Sequence, residues 1–382
     1  MVEPGEFFEA LKGAGVRLIV GVPDSLLQDF CRHVDAVMPA DRHVVTANEG
    51  SAIALAAGFH LATGSVPLVY LQNSGLGNAV NPLLSLVDTE VYAIPVVLVV
   101  GWRGEPDVPD EPQHRKQGRV TPVLLDAMEI PYRRLRADEP SPLELAGWAV
   151  AEARRRRGPV ALLVHRGAFA PADVASPTAA AEPLPLSREE AIACIVETLA
   201  PDSAIVATTG MIGRELHALR LRAGHATDRD FLTVGSMGHA SQIALGIAMA
   251  GTDRPVVCLD GDGATLMHLG GLATIGTSCA RHLLHVVLNN GAHDSVGGQA
   301  TAAFAVDLAA VARACGYRVS IGGVRERVDL VRAVADLQAT PGPVFLEVRV
   351  RKGARAGLGR PAASTASSRS SFMRWLRAES EG

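Results

Sequence analysis

The sequence predicts an α/β protein made of two doubly wound parallel-sheet domains. Three observations carry this. The strand-like runs are short, β-branched and apolar on both faces, the pattern of sheets covered by helices on each side. They alternate with helical stretches. The alternation then repeats beyond an Ala- and Pro-rich segment of little charge, residues 168–186, which reads as a linker.

Each element follows in turn. Residues 17–20 form a strand, and 23–37 a helix that tolerates Pro23 in its first turn. Residues 43–46 are a strand and 51–62 an Ala-rich helix. Strands at 66–71, 96–100 and 160–165 complete a first domain over residues 1–167. The second domain, 187–350, has strands at 204–207, 255–260, 282–288 and 344–350, with helices such as 188–199 and 239–250 between them. The tail, 351–382, opens with Gly, Arg, Ser and Ala and closes with a short helix at 369–378, frayed or docked.

Composition narrows the function. The 382 residues are 48% hydrophobic and 20% charged, enough for two or three cores and too apolar for a disordered chain. A net charge of −4 argues against a general nucleic-acid or anionic-membrane surface, so anion recognition must be local. With no apolar run of about 18 residues and no basic-then-apolar start, the expected location is the cytoplasm. Five cysteines without CxxC spacing suggest neither a disulfide framework nor a zinc site, but buried free thiols. Three lysines, Lys12, Lys116 and Lys352, leave few candidates for Schiff-base chemistry.

The most specific chemical signal pairs two turns. Gly261-Asp262-Gly263-Ala264 closes one strand, and Asn289-Asn290-Gly291 closes the next. In a parallel sheet both lie on the carboxyl edge, where ligands bind. A carboxylate, an amide oxygen and a backbone carbonyl suit a hard cation such as Mg²⁺, completed by phosphate oxygens and water. The glycines let backbone N–H groups approach phosphates. Alone, Gly-Asp-Gly is more often only a turn; the pairing is what makes it specific. Glu49, opening the Ala-rich helix, would by itself be read as serving the helix dipole, and Met237 as a core residue.

With these motifs in place, the chain resembles the thiamin diphosphate-dependent decarboxylase and acetolactate synthase superfamily. The resemblance implies that Asp262, Asn289 and the Gly291 carbonyl bind Mg²⁺, which holds the cofactor diphosphate. It implies cofactor contacts from Gly235, Ser236, Met237, Gly261, Gly263, Ala264 and Asn290, with Met237 wedged between the cofactor rings. It places Glu49, buried, against N1′ of the aminopyrimidine. Because Glu49 and the metal motif come from different subunits in that superfamily, it also implies a dimer or tetramer with active sites between subunits.

Longer stretches are similar to the phosphonopyruvate decarboxylase family: Gly-Val-Pro-Asp-Ser at 21–25, Gln-Asn-Ser-Gly-Leu-Gly-Asn at 72–78, Gly-Trp-Arg-Gly-Glu-Pro at 101–106, Asp-Glu-Pro-Gln-His at 110–114, residues 289–299 and Gly-Arg-Pro at 359–361. The middle domain of larger superfamily enzymes is missing, as in that family. The implied substrate is a small 2-oxo acid carrying a phosphonate. A local basic cluster is then required, and Arg103, His114, Arg115 and Lys116 offer one in Gly- and Pro-punctuated loops. Ser25, Asn73, Ser74, Ser295 and Arg360 are further substrate candidates, Gln299 lies just past the metal loop, and His293 and Asp294 are candidates for proton transfer. A sulfopyruvate decarboxylase is the nearest alternative; a carboligase or a non-catalytic cofactor-binding scaffold are others.

Overall fold

The computed structural model describes residues 1–139, 141–174, 184–252 and 254–378. They fall into two compact units, Met1–Ala181 and Glu182–Gly382.

The first unit runs α1 (Pro4–Gly13), β1 (Ile19–Gly21), α2 (Gln28–Val37), β2 (His43–Val45), α3 (Glu49–Thr63), β3 (Leu68–Gln72), α4 (Leu76–Ser85), β4 (Val96–Gly101), α5 (Pro112–Ala127), β5 (Tyr132–Leu135), α6 (Pro142–Arg156) and β6 (Pro159–Val164). Its six strands pair in parallel in the order β2-β1-β3-β4-β6-β5. Successive strand residues point to opposite faces, and both faces are buried. Leu68, Tyr70, Val97, Val99 and Leu162 pack toward Phe7, Phe30 and Ala149 of α1, α2 and α6. Val69, Leu71, Leu98, Val100 and Leu163 pack toward Ile53, Ala56 and Leu83 of α3 and α4. This double burial is what continuous apolarity in the strands signals.

The second unit runs α7 (Arg188–Thr198), β7 (Ala204–Ala207), α8 (Met211–Arg222), β8 (Asp230–Leu232), α9 (Ala240–Met249), β9 (Val256–Gly261), α10 (Asp262–Met267), α11 (Gly271–Gly276), β10 (Leu283–Asn289), α12 (Leu308–Ala314), β11 (Val319–Val324), α13 (Arg327–Gln338), β12 (Val344–Arg349) and α14 (Thr365–Arg377). Its sheet is also parallel, in the order β11-β12-β10-β9-β7-β8. Numbered within each unit and read from one end, both sheets have the strand order 2-1-3-4-6-5. The two halves are one topology used twice.

Local chemistry explains where elements start differently from the sequence reading. α2 begins at Gln28, not at Pro23, because the Asp24 carboxylate accepts from Leu26 N (2.9 Å) and its carbonyl from Leu27 N (3.1 Å), closing a turn first. α3 begins at Glu49 because Asn48 caps it, accepting from Ser51 N at 2.9 Å. Residues 168–170 of the linker reading belong to the first unit: Val2 N donates to the Ala168 carbonyl, Ala170 N to that of Val2, and Phe169 stacks on Phe30. At its other end Leu186 is buried in the second unit; 175–183 lie outside the described residues. The tail helix is docked, with Phe372 buried beside Phe231 and Trp375 beneath the Arg254 guanidinium. Of the five cysteines, which are free, only Cys31, Cys194 and Cys258 are buried; Cys279 is exposed. No described helix is long and apolar enough to cross a membrane.

Candidate active site

In the second unit, β9 ends at Gly261 and Asp262 opens α10; Gly261 pairs with Leu288, so Asn289 ends β10 one step further along the same edge. The Asp262 carboxylate accepts from the backbone N–H of Asn290 and Gly263 and from the Thr301 hydroxyl. Burial pushes its pKa up to about 6. A carboxylate so placed is costly to ionise and favours a cation beside it. Asn289, fully buried, is oriented from both ends: its Nδ2 donates to Glu347 at 2.8 Å and its Oδ1 accepts from Gly291 N at 3.0 Å, leaving one lone pair of that oxygen. The Gly291 carbonyl accepts from Thr301 N at 2.9 Å and keeps its second lone pair.

A cradle lies beside these groups. A Cβ on Gly263 would sit 2.9 Å from His293 Cε1 and 3.5 Å from Met237 Cε, so a side chain at 263 would fill the space that Met237 and His293 face. Met237 follows β8 in a turn where Ser236 (φ 53°) and Gly238 (φ 83°) are left-handed, and Gly238 packs on Ala264 and His268. Burial pushes His293 down to about 4, so it is neutral at neutral pH. Ser295 is exposed near Gly210. Gln299 is buried with neither amide atom hydrogen-bonded. Glycines without side chains, a buried carboxylate and aimed oxygens fit a diphosphate with its hard cation.

Asp294, the second proton-transfer candidate, is heavily hydrogen-bonded. A single oxygen, Oδ2, accepts from Arg188 Nη1 (2.9 Å), Asn290 Nδ2 (2.6 Å) and Gly353 N (2.9 Å). So engaged, it ties three segments of the second unit together. Arg360 is exposed on the tail.

In the first unit, Glu49 is buried at the start of α3 and its Oε2 accepts from Asn78 Nδ2 at 2.8 Å. Gly75 makes room for it, since a Cβ there would lie 2.2 Å from Glu49 Oε1. The same carboxyl edge gathers Ser25, Asn73, Ser74 and Arg103. Arg103 donates to Ser25 Oγ at 2.9 Å, Asn73 Nδ2 donates to the Arg103 carbonyl at 2.8 Å, and Ser74 donates to Gln72 Oε1 at 2.7 Å.

The basic cluster expected in loops lies partly on a helix. His114 and Lys116 lie in the first turns of α5; His114 is buried, held neutral chiefly by burial, while Lys116 is exposed. Arg103 forks onto Asp110 at 2.6 and 2.8 Å, and Arg166 reaches the same carboxylate at 3.2 Å. Burial alone would raise Asp110, yet the Arg103 fork and Gly104 N hold it well below the usual carboxylate range. Two guanidiniums thus share the one carboxylate of Asp110, and the buried Asp24 also acts on Arg103.

Two groups escape the sequence reading. Asp24 is fully buried, accepts from Gln72 Nε2 at 2.6 Å, and is pushed up by burial; it lies in the family-like segment 21–25, but nothing in the sequence singles it out from its neighbours there. Cys258, Asp260 and His285 bring their donor atoms within 4.8 Å of one another, with His285 Nδ1 3.0 Å from the Tyr317 hydroxyl. The pairing of His285 opposite Cys258 creates that group, and no spacing along the chain announces it.

Both units match models of thiamin pyrophosphate-binding domains. Residues 6–130 match the thiamine pyrophosphate enzyme N-terminal TPP binding domain and 208–348 the C-terminal TPP binding domain. The protein is thus a thiamin pyrophosphate-dependent α/β enzyme without a middle domain. Phosphonopyruvate decarboxylase of Streptomyces viridochromogenes is 40% identical over 94% of this chain and 91% of its own. That of Streptomyces hygroscopicus is 39% identical over 94% and 90%. The sulfopyruvate decarboxylase of Methanosarcina acetivorans is 27% identical over 92% of each. The chain belongs to the phosphonopyruvate decarboxylase family and is a decarboxylase, a carboxy-lyase.

Proposed function

We propose that the protein converts 3-phosphonopyruvate to phosphonoacetaldehyde and CO₂, with Mg²⁺ as the metal, in phosphonate biosynthesis, including that of antibiotics. The C1–C2 bond breaks, C1 leaves as CO₂, and one proton is delivered to C2. Bound thiamin diphosphate supplies the electron sink that this cleavage needs. Asp262, Asn289 and the Gly291 carbonyl hold the metal. Gly235, Ser236, Met237, Gly261, Gly263, Ala264 and Asn290 line the cofactor, and Glu49 holds and moves a proton at N1′ of its pyrimidine. His293, neutral at working pH, is the proton donor or acceptor beside the cradle.

The observation that carries the substrate reading is the Arg103–Asp110–Arg166 cluster with Ser25 and Asn73 at its edge. It combines two guanidiniums with the Ser25 hydroxyl, while Asn73, whose Nδ2 serves the Arg103 carbonyl and Thr121 Oγ1, braces the Arg103 backbone; together these are the means to hold a remote anion in an acidic protein. The greater similarity to phosphonopyruvate decarboxylases than to the sulfopyruvate enzyme supports phosphonate over sulfonate. Self-association as a dimer or tetramer is part of the same reading, supported by Leu55, Leu61, Val91 and Tyr92 exposed on the first unit. The test is CO₂ release from phosphonopyruvate, sulfopyruvate and pyruvate with thiamin diphosphate and Mg²⁺. A higher kcat/KM for sulfopyruvate would overturn the substrate assignment.

A further inference from the structure

Arg188 is the first residue of α7, where a cation opposes the helix dipole. Its side chain is only 4% exposed. Its Nε and Nη2 fork onto Glu215 of α8 at 2.8 and 2.9 Å, and Glu215 is itself 1% exposed. The remaining Nη1 reaches Asp294 Oδ2, the oxygen that also takes Asn290 Nδ2 and Gly353 N. Asn290 in turn gives its backbone N–H to Asp262. A continuous chain therefore runs Glu215–Arg188–Asp294–Asn290–Asp262.

Three buried charges are a poor way to stabilise a fold, since apolar side chains of similar size do as well or better. They are a good way to specify one geometry. The loop they tie needs specifying: Gly291, Gly297 and Gly298 all have positive φ, so its backbone has few preferences of its own. Lys352 adds a second tie from the tail, donating to the Gly298 carbonyl.

We propose that Arg188 is a positioning residue for the loop after β10: through Asp294 it fixes Asn290 and the Gly291 turn in the arrangement that receives the metal and the cofactor diphosphate. Asp294 then serves cofactor binding and not proton transfer. The inference rests on the functional reading above.

The variants are Arg188→Lys and Asp294→Asn. Lysine keeps the charge but lacks the fork that spans two carboxylates; asparagine keeps the shape and loses the charge. Thiamin diphosphate binding in the presence of Mg²⁺ is measured by calorimetry, and kcat at saturating cofactor is measured alongside. Both variants are expected to raise the cofactor Kd by about 10- to 100-fold, the usual worth of an outer-shell partner, with kcat within about 3-fold of wild type. Arg220→Lys, which disturbs the buried Arg220–Asp230 pair away from the loop, controls for general loss of stability and is expected to leave the Kd unchanged. Wild-type Kd in both test variants overturns the proposal. So does Asp294→Asn with normal Kd and a collapsed kcat, which would make Asp294 a proton carrier. Should Asp262→Ala also bind cofactor normally, the metal-site reading itself fails; should it alone lose binding, only the clamp does.

Discussion

The two units share a strand order, so their carboxyl edges compare position by position. After the second strand, one carries Glu49 and the other Met237. After the third come Asn73 and Ser74 in one and Asp262 in the other; after the fourth, Arg103 against Asn289–Gly291. The loops occupy the same places on the same scaffold with opposite electrostatics. In the first unit two cations, Arg103 and Arg166, share the one carboxylate of Asp110. In the second, Asp262 is answered by a hydroxyl and backbone N–H groups, and burial raises its pKa. One edge carries its own cations. The other favours a cation from outside. The lesson is that a doubly wound sheet fixes where function sits, while loop residues fix which function it is.

The comparison breaks most sharply at Glu49. Glu49→Gln preserves the bond to Asn78 but removes the titratable proton. Turnover is expected to fall by about 10²–10⁴, the usual worth of a positioned acid–base group, and exchange at the cofactor C2–H should fall with it. Cofactor binding by calorimetry should be retained. Asp262→Ala tests the opposite edge and the opposite quantity: Mg²⁺-dependent thiamin diphosphate affinity is expected to fall by about 10² or more, with far-ultraviolet circular dichroism unchanged. If each substitution affected binding and turnover alike, the division of labour between the edges would be wrong.

Much of this was legible in the sequence, and the exceptions have physical causes. Strands buried on both faces announce themselves by continuous apolarity, as in Val96–Gly101. The edge strand Tyr132–Leu135 does not: it carries Arg133 and Arg134, which are exposed. Asp262, Asn289 and Glu49 stand at strand and helix ends, where chain order alone places them. The pairing of Arg103 with Asp110, the burial of Asp24 and the triple use of Asp294 depend on how loops fold back, and no periodicity encodes that. The same blindness made 114–116 look like a loop, although Pro112 at the first helical turn is the usual helix opener.

Substrate recognition gives intermediate effects. Arg103 is anchored by Asp110 and touches Ser25, so Arg103→Ala removes a preorganised donor and leaves Asp110 with Arg166 and its backbone donors Gly104 N and Glu111 N. A charge-assisted hydrogen bond of about 1.5–3 kcal/mol predicts a loss of roughly 10- to 150-fold in kcat/KM for phosphonopyruvate. The slow reaction with pyruvate, which lacks the remote anion, should barely change. Equal losses on both substrates would show that Arg103 orders the edge instead of reading the substrate.

The smallest effect is expected at Arg166, and it is the one that sharpens the charge balance. Its side chain is 49% exposed and its 3.2 Å approach to Asp110 is longer than the Arg103 fork. An ion pair open to water is worth about 0–1 kcal/mol, so Arg166→Ala should cost at most about 5-fold in kcat/KM for phosphonopyruvate. The direction still matters. With Arg166 gone, the cluster loses one of its two cations and Arg103 faces Asp110 alone. Long-range attraction of the substrate should then weaken, and this part of recognition is the most sensitive to salt. Measured from low to physiological ionic strength, kcat/KM of the wild type should therefore decline more steeply than that of Arg166→Ala, with the two curves converging at high salt. Parallel curves would mean that the edge attracts the substrate through Arg103 alone, and that Arg166 only shields Asp110.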